Sequence, residues 1–192
     1  MKYAQEFRER FSKRTTFTTR DAIVFLTRRG ASREYAHLLL HNLAKRGEIH
    51  RITKGVYSFK QEMQVVGFAY APYYYGLQDA LSIHNLWEQE TNPVVITARR
   101  MRPGVKTFLG NNYVVKRIDK KMFYGFTAVK YHDFWINAST PEKTLLDFIY
   151  FRQPLDEKTL KEIKRLINKK TLAEYLKKMP KRVKKKTRAI LK

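Results

Sequence analysis

Arg33, His37 and His41 recur at four-residue intervals, so a helix through them carries all three along one side. An arginine there suits guanine, because its fork of N–H donors matches the acceptors that guanine shows in the major groove. The histidine pair also has the i, i+4 spacing of two zinc ligands. No third ligand stands near them in the chain, and neutral hydrogen bonding or plain surface exposure are the other readings. Ser32, just ahead of Arg33, is placed for a phosphate or a base edge. Tyr35 can stack on a sugar or fill the core. Arg20, Arg51 and Lys54 flank the segment as phosphate contacts, which position a protein on a duplex without selecting sequence.

A second group lies further along. Glu142, Lys143 and Asp147 could form an acidic, Mg²⁺-dependent nuclease-like cluster. Glu142 also fits a capping box with Ser139, and Asp147 a helix-surface or buried-pair residue. Tyr70, Tyr73, Tyr74 and Tyr75 could stack single-stranded bases or pack a core. His84 falls on an apolar helix face, where a hydrogen-bonded core histidine is expected. The chain has no phosphate-cradling glycine loop, no His-Glu zinc motif and no serine elbow. The expectation is therefore a non-enzymatic protein with no catalytic residue, metal or cofactor.

The elements that must hold these residues are punctuated clearly. Thr18 and Asp21 are spaced as a capping box, followed by an apolar stripe of Ala22, Ile23, Phe25 and Leu26. Gly30 suits a helix end, and Ser32 caps the next helix, in which Ala36, Leu39, Leu40 and Leu43 recur at helical spacing until Gly47. Glu48 to Ile52 and Val56 to Phe59 then form a hairpin around Thr53, Lys54 and Gly55, a three-residue loop of the type I turn-plus-bulge kind. Ile49 and Ile52 differ in parity, so its alternation is imperfect. Two short helices followed by a basic-tipped hairpin are the layout of a winged helix-turn-helix, which inserts one helix into the major groove.

Ahead of this, Tyr3 to Phe11 reads as a helix with Phe7 and Phe11 one turn apart. Beyond it, Gln61 to Val66 reads as a connector, and Phe68 to Tyr75 opens a second unit. A helix follows from Gly76 through Leu86, then a strand at Val94 to Ala98. Val105 to Leu109 and Tyr113 to Ile118 form a hairpin about Gly110, Asn111 and Asn112. Phe126 to Ile136 is one strand or a hairpin. Helices follow after Pro141, over Glu157 to Ile167 capped by Asp156, and over Leu172 to Met179 capped by Thr171. Lys181 to Lys192 has seven Lys or Arg among its twelve residues and could form a helix.

Charge placement supports a polyanion partner. Of 192 residues, 40 are Lys or Arg against 17 Asp or Glu, a net charge of +23. Residues 1–60 hold 14 basic against 5 acidic, residues 61–160 hold 12 against 10, and residues 161–192 hold 14 against 2. The surplus sits at the two ends, one of them the expected DNA reader, where each neutralised phosphate releases counterions. A solvated lysine-rich surface is the plainer reading. With no cysteine there is no disulfide framework or thiolate site. No run of 18 apolar residues and no apolar leader follow the N-terminus, so no membrane association and a cytoplasmic location are expected.

Tyr75–Leu86 (YGLQDALSIHNL), Val94–Arg100 (VVITARR) and Pro141–Phe151 (PEKTLLDFIYF) resemble, in order and spacing, the AbiEi family of antitoxins. There a winged helix-turn-helix precedes a domain with Ala-Leu…His-Gly-Leu, a short strand ending in basic residues, and Glu-Lys…Leu-Asp. The resemblance covers about residues 15–175; Asn85 stands where glycine is common, and asparagine tolerates the same left-handed backbone. It implies a repressor of its own operon, acting on operator duplex DNA. It further implies the antitoxin of a type IV pair whose toxin is nucleotidyltransferase-like, without a stable complex between the two. The fold expected is α+β: an N-terminal winged helix-turn-helix (1–64), a mixed α/β antitoxin domain (65–180) and a basic helical C-terminus (181–192). An RNA-binding protein using the basic end and the tyrosines, or a metal-dependent nuclease, are the alternatives.

Overall fold

The computed structural model of the protein describes residues 2–86 and 92–191, so Met1 and Lys192 of the segments named above lie outside the described residues. The fold is α+β, and the chain divides into two units, residues 1–71 with 107–111, and residues 72–106 with 112–192.

The first unit is a winged helix-turn-helix. Its helices are α1 (Ala4–Phe11), α2 (Thr19–Thr27) and α3 (Arg33–Lys45). Thr18 caps α2 in a complete capping box with Asp21, and the Ser32 hydroxyl accepts the Tyr35 N–H at the start of α3. Both helices end the same way. Gly30 (φ +82°) returns the Ala31 N–H to the Leu26 carbonyl, and Gly47 (φ +69°) returns the Glu48 N–H to the Leu43 carbonyl. Each bond satisfies a carbonyl that the helix leaves open, and needs a left-handed residue to do so.

Ala22, Leu26, Ala36, Leu39, Leu40 and Leu43 meet Phe7, Phe11 and Phe17 in one core. Phe7 and Phe11, one turn apart, have ring centroids 4.5 Å apart. The wing is β2 (His50–Thr53) and β3 (Val56–Ser58), with a turn of two residues, Lys54 and Gly55, tighter than the three-residue loop expected. Its register shifts between Arg51 and Thr53, which is where strict alternation breaks at Ile52. A further strand, β1 (Phe17–Thr18), pairs with β3 and makes the sheet three-stranded. Residues 63–70, within the stretch read as a connector and aromatic start of the second unit, form a 3₁₀ stretch grouped with the first unit, and the second unit starts at residue 72.

The second unit is a six-stranded mixed sheet, apart from residues 107–111 at one of its turns, with helices packed on it. Its strands are β4 (Tyr73–Tyr75), β5 (Val94–Thr97), β6 (Gly104–Phe108), β7 (Asn111–Arg117), β8 (Phe126–Tyr131) and β9 (Phe134–Ser139), in the spatial order β6-β7-β5-β4-β9-β8. Phe126 to Ile136 is thus a hairpin, and its second strand runs on to Ser139. The β6–β7 turn is Leu109–Gly110, both at positive φ; Asn111 and Asn112, expected in that turn, belong to β7. The helices are α4 (Gln78–Ile83), α5 (Pro141–Tyr150), α6 (Glu157–Leu166), α7 (Lys169–Lys177) and α8 (Lys181–Leu191).

Tyr74, Val94 and Ile96 meet Leu81, Leu145, Leu146, Phe148 and Val183 in the core of this unit. Asn85 takes φ +57° after α4, the left-handed turn that the sequence allowed it. The basic C-terminal segment is a helix, α8, packed into this unit. Val183 and Thr187 of α8 are buried, and Arg182 donates to the carbonyls of Ile149 and Tyr150, closing the C-terminus of α5.

Candidate nucleic-acid interface

The caps and the buried stripe of α3 decide which of its side chains face water. With Ala36, Leu39, Leu40 and Leu43 turned inward, Arg33, His37 and His41 are exposed along the other side. Ser32 is exposed as well, although its oxygen already serves the helix start. Lys45 continues the four-residue series and is exposed; the sequence carried that signal, but it passed unassigned. Glu34 adds one carboxylate to this side. Its own backbone N–H and the Ser32 hydroxyl hold it below the ordinary carboxylate range, with Arg33 and His37 contributing.

The flanking cations come from two neighbouring pieces of chain. Arg20 is exposed in the first turn of α2, and Lys54 in the wing turn. The Thr19 N–H donates to the Gly55 carbonyl at 2.9 Å, so the turn holding Lys54 is tied to the helix start holding Arg20. Arg51 is exposed on β2 and its Nε donates to the Thr53 carbonyl at 3.3 Å. Burial opposes ionisation of Asp21, but hydrogen bonds from Thr18, with Arg14 and Arg20 nearby, leave its carboxyl below the usual value.

Two other cations of this unit are engaged by carboxylates. Arg8 makes a two-pronged pair with Glu48 at 2.6 and 3.0 Å, and Arg29 pairs with Glu6 at 2.7 Å while lying over the Phe25 ring. Tyr35, of the two roles open to it, takes the structural one. Its ring lies edge-on to Tyr3 at 5.8 Å and its hydroxyl accepts the Tyr3 N–H.

The second unit turns its candidate chemistry inward. Thr140, not Ser139, caps α5, with Pro141 in the first turn; Ser139 is buried against Thr144. Glu142 therefore closes no capping box. It is buried and accepts the Asn168 N–H at 2.8 Å, at the residue that caps α7 in place of the expected Thr171. Asp147 is the buried-pair residue. Lys143 donates to its carboxylate and to the Tyr74 hydroxyl, and Tyr74 donates to the other carboxylate oxygen at 2.9 Å. Burial pushes the Lys143 amine down and the Asp147 carboxyl up, while each opposes the shift of the other.

Gly125 (φ +74°) makes room for this pair, since a Cβ there would come within 2.9 Å of the Lys143 Cβ. No carboxylate of this group is open to a metal, and among the described residues no three His, Cys, Asp or Glu side chains gather around a possible ion. Tyr70, Tyr73, Tyr74 and Tyr75 are all buried, so they offer no platform to bases. Desolvation accordingly raises the hydroxyl pKa of Tyr73 and Tyr74. His84 is half-buried and contacts the Ser139 carbonyl at 2.7 Å, hydrogen-bonded as expected but at the margin of the core. Lys181, Lys185 and Arg188 are exposed and, with the half-buried Lys184, whose amine donates to the Lys177 carbonyl, line an open groove along α8.

Comparison with known proteins bears on the first unit most directly. Residues 6–60 match the family model described as "Transcriptional regulator, AbiEi antitoxin", in agreement with the resemblance read from the sequence. The fold is similar to that in the crystal structure of the RV2827C protein from Mycobacterium tuberculosis. The TM-score is 0.63 over 99% of this chain and 73% of that one, at 12% sequence identity, a likeness of fold alone. No curated protein matches. Among the described residues no helix is long and apolar enough to cross a membrane.

Proposed function

Starting from an N-terminal domain of the AbiEi antitoxin regulator family, we propose that the protein is a cytoplasmic repressor that binds operator duplex DNA upstream of its own gene. In this reading residues 1–64 bind the DNA, with α3 in the major groove. Arg33 reads a base edge, and His37 and His41 add neutral hydrogen bonds. Arg20, Arg51 and Lys54 hold phosphates, and Ser32 keeps the helix N-terminus fixed beside them. The observation that carries this is the outward presentation of Arg33, His37 and His41 on a capped helix whose opposite side is wholly buried. Residues 65–180 then oppose a nucleotidyltransferase-like toxin encoded beside the gene, without a stable complex, as the family resemblance implies. No catalytic residue, metal or cofactor is assigned.

Binding of the purified protein to its own upstream duplex, to random duplex and to single-stranded RNA, each across a salt series, tests the DNA half. With about five phosphates neutralised, log K should fall against log salt with a slope of about −4 to −5, and the upstream duplex should bind tightest. A slope near zero, or a preference for the RNA, overturns it. The toxin half is tested by expressing the neighbouring gene alone and with this one in trans. Growth arrest that this protein does not relieve, or a stable co-purifying complex, overturns that half.

A further inference from the structure

The outward face of α3 holds one large apolar side chain. Leu38 is 54% exposed, whereas Leu39, Leu40 and Leu43 are no more than 3% exposed. At roughly 100° per residue Leu38 points about 160–200° away from Leu40 and Ala36, directly opposite the core. Glu34 stands one turn before it, His41 one turn after and Lys45 a further turn on, all exposed. A single exposed leucine is ordinary on a protein surface. This one adjoins the side of α3 assigned to the major groove, about 60° round the helix from His41 and about 100° from His37.

A leucine offers nothing to a phosphate or to a base's polar edge. The one apolar group that a B-form major groove presents is the C5-methyl of thymine. We infer that Leu38 is a specificity-determining residue that recognises a thymine methyl in the operator. The exposed cations of this unit, Arg33, Lys45, Arg20 and Lys54, favour a nucleic acid over a protein as occupant. The inference rests on the DNA-binding reading and names what that site selects.

Replacing each thymine of the protected tract singly by deoxyuridine removes only the methyl group, and binding is compared for the wild type, Leu38→Ala and Leu38→Met. One methyl corresponds to about a four-fold change in affinity. The wild type and Leu38→Met should lose about that factor at one position. Leu38→Ala should bind thymine and uracil duplexes alike there, already weakened on the thymine duplex. Since Leu38 is more than half exposed and lies outside the core cluster of this unit, Leu38→Ala should unfold close to the wild-type temperature. A wild type indifferent to every uracil, or a Leu38→Ala variant that keeps the thymine preference, overturns the inference while leaving DNA binding intact. A wild-type dimer that Leu38→Ala converts to monomers also overturns it, placing Leu38 between copies. Failure of the wild type to prefer the upstream duplex over random duplex refutes the DNA reading itself, and this inference with it.

Discussion

Replacing Lys143 by methionine should destabilise the second unit by about 3–5 kcal/mol, because it strands a buried carboxylate. Both side chains of the Lys143–Asp147 pair are fully buried, with 0% exposure each. The Tyr74 hydroxyl closes the triangle, accepting from Lys143 at 2.9 Å and donating to Asp147 at 2.9 Å. Methionine keeps most of the lysine's length and removes its charge and its donors. Asp147 is then left with the tyrosine alone. The triple variant Lys143→Met, Asp147→Leu, Tyr74→Phe removes both charges and the hydroxyl together. It should lie within about 1–2 kcal/mol of the wild type, since a buried ion pair roughly balances its own desolvation. Retaining the hydroxyl in the corresponding double variant should cost about 1–3 kcal/mol more, the penalty of an unsatisfied buried polar group.

Denaturant unfolding followed by circular dichroism reads these differences. By heat, at about 2–4 °C per kcal/mol, the single variant should melt about 6–20 °C lower. Lowering the pH gives an independent check. An Asp147 carboxyl raised in the folded variant binds protons there more readily than in the unfolded chain. The deficit of Lys143→Met relative to wild type should therefore shrink as the pH falls from 7 towards 5. A Lys143→Met loss below about 1 kcal/mol, or a deficit that ignores pH, would refute the reasoning.

Two further outcomes are expected in the first unit. Arg33→Ala should cost about 1–3 kcal/mol on the upstream duplex and relax its preference, whereas Lys54→Ala should weaken all duplexes alike and lower the salt slope by about one; equal behaviour of the two on operator and random DNA would remove the division of roles. His50 on β2 has its pKa lowered by burial, and its Nε2 is enclosed without a hydrogen-bond partner. The unfolded chain therefore takes up the proton first, so stability present above the ordinary imidazole range is lost as the pH falls through it. Acid unfolding of His50→Gln should be less steep between about pH 6.5 and 5 than that of the wild type, and identical profiles would show that His50 does not contribute.

What the chain determines by itself is what lies within a helical turn of its own position. Thr18 with Asp21, Ser32 with Tyr35, and Asp156 with Thr159 cap helices through bonds spanning three residues, and Gly30 and Gly47 end them through bonds spanning five. Such bonds depend on residue type and spacing alone, and so does the stripe at Ala36, Leu39, Leu40 and Leu43 that turns Arg33 outward. Tertiary structure decided the rest, because the partners are remote. β1 is two residues long and is recognisable only once it meets β3. β4 gains its parallel neighbour β9 through Tyr75 and Ala138, which no local pattern joins.

Glu142 and Ser139 have the spacing of a capping box, yet a bond from Asn168 claims the first and Thr144 the second. Tyr74, Lys143 and Asp147 sit 69 to 73 positions apart across the triangle's long sides. Whether such residues make a polar core or an open site depends on what folds over them. Local chemistry names a side chain's capacity, but burial, a sum over distant neighbours, selects its use.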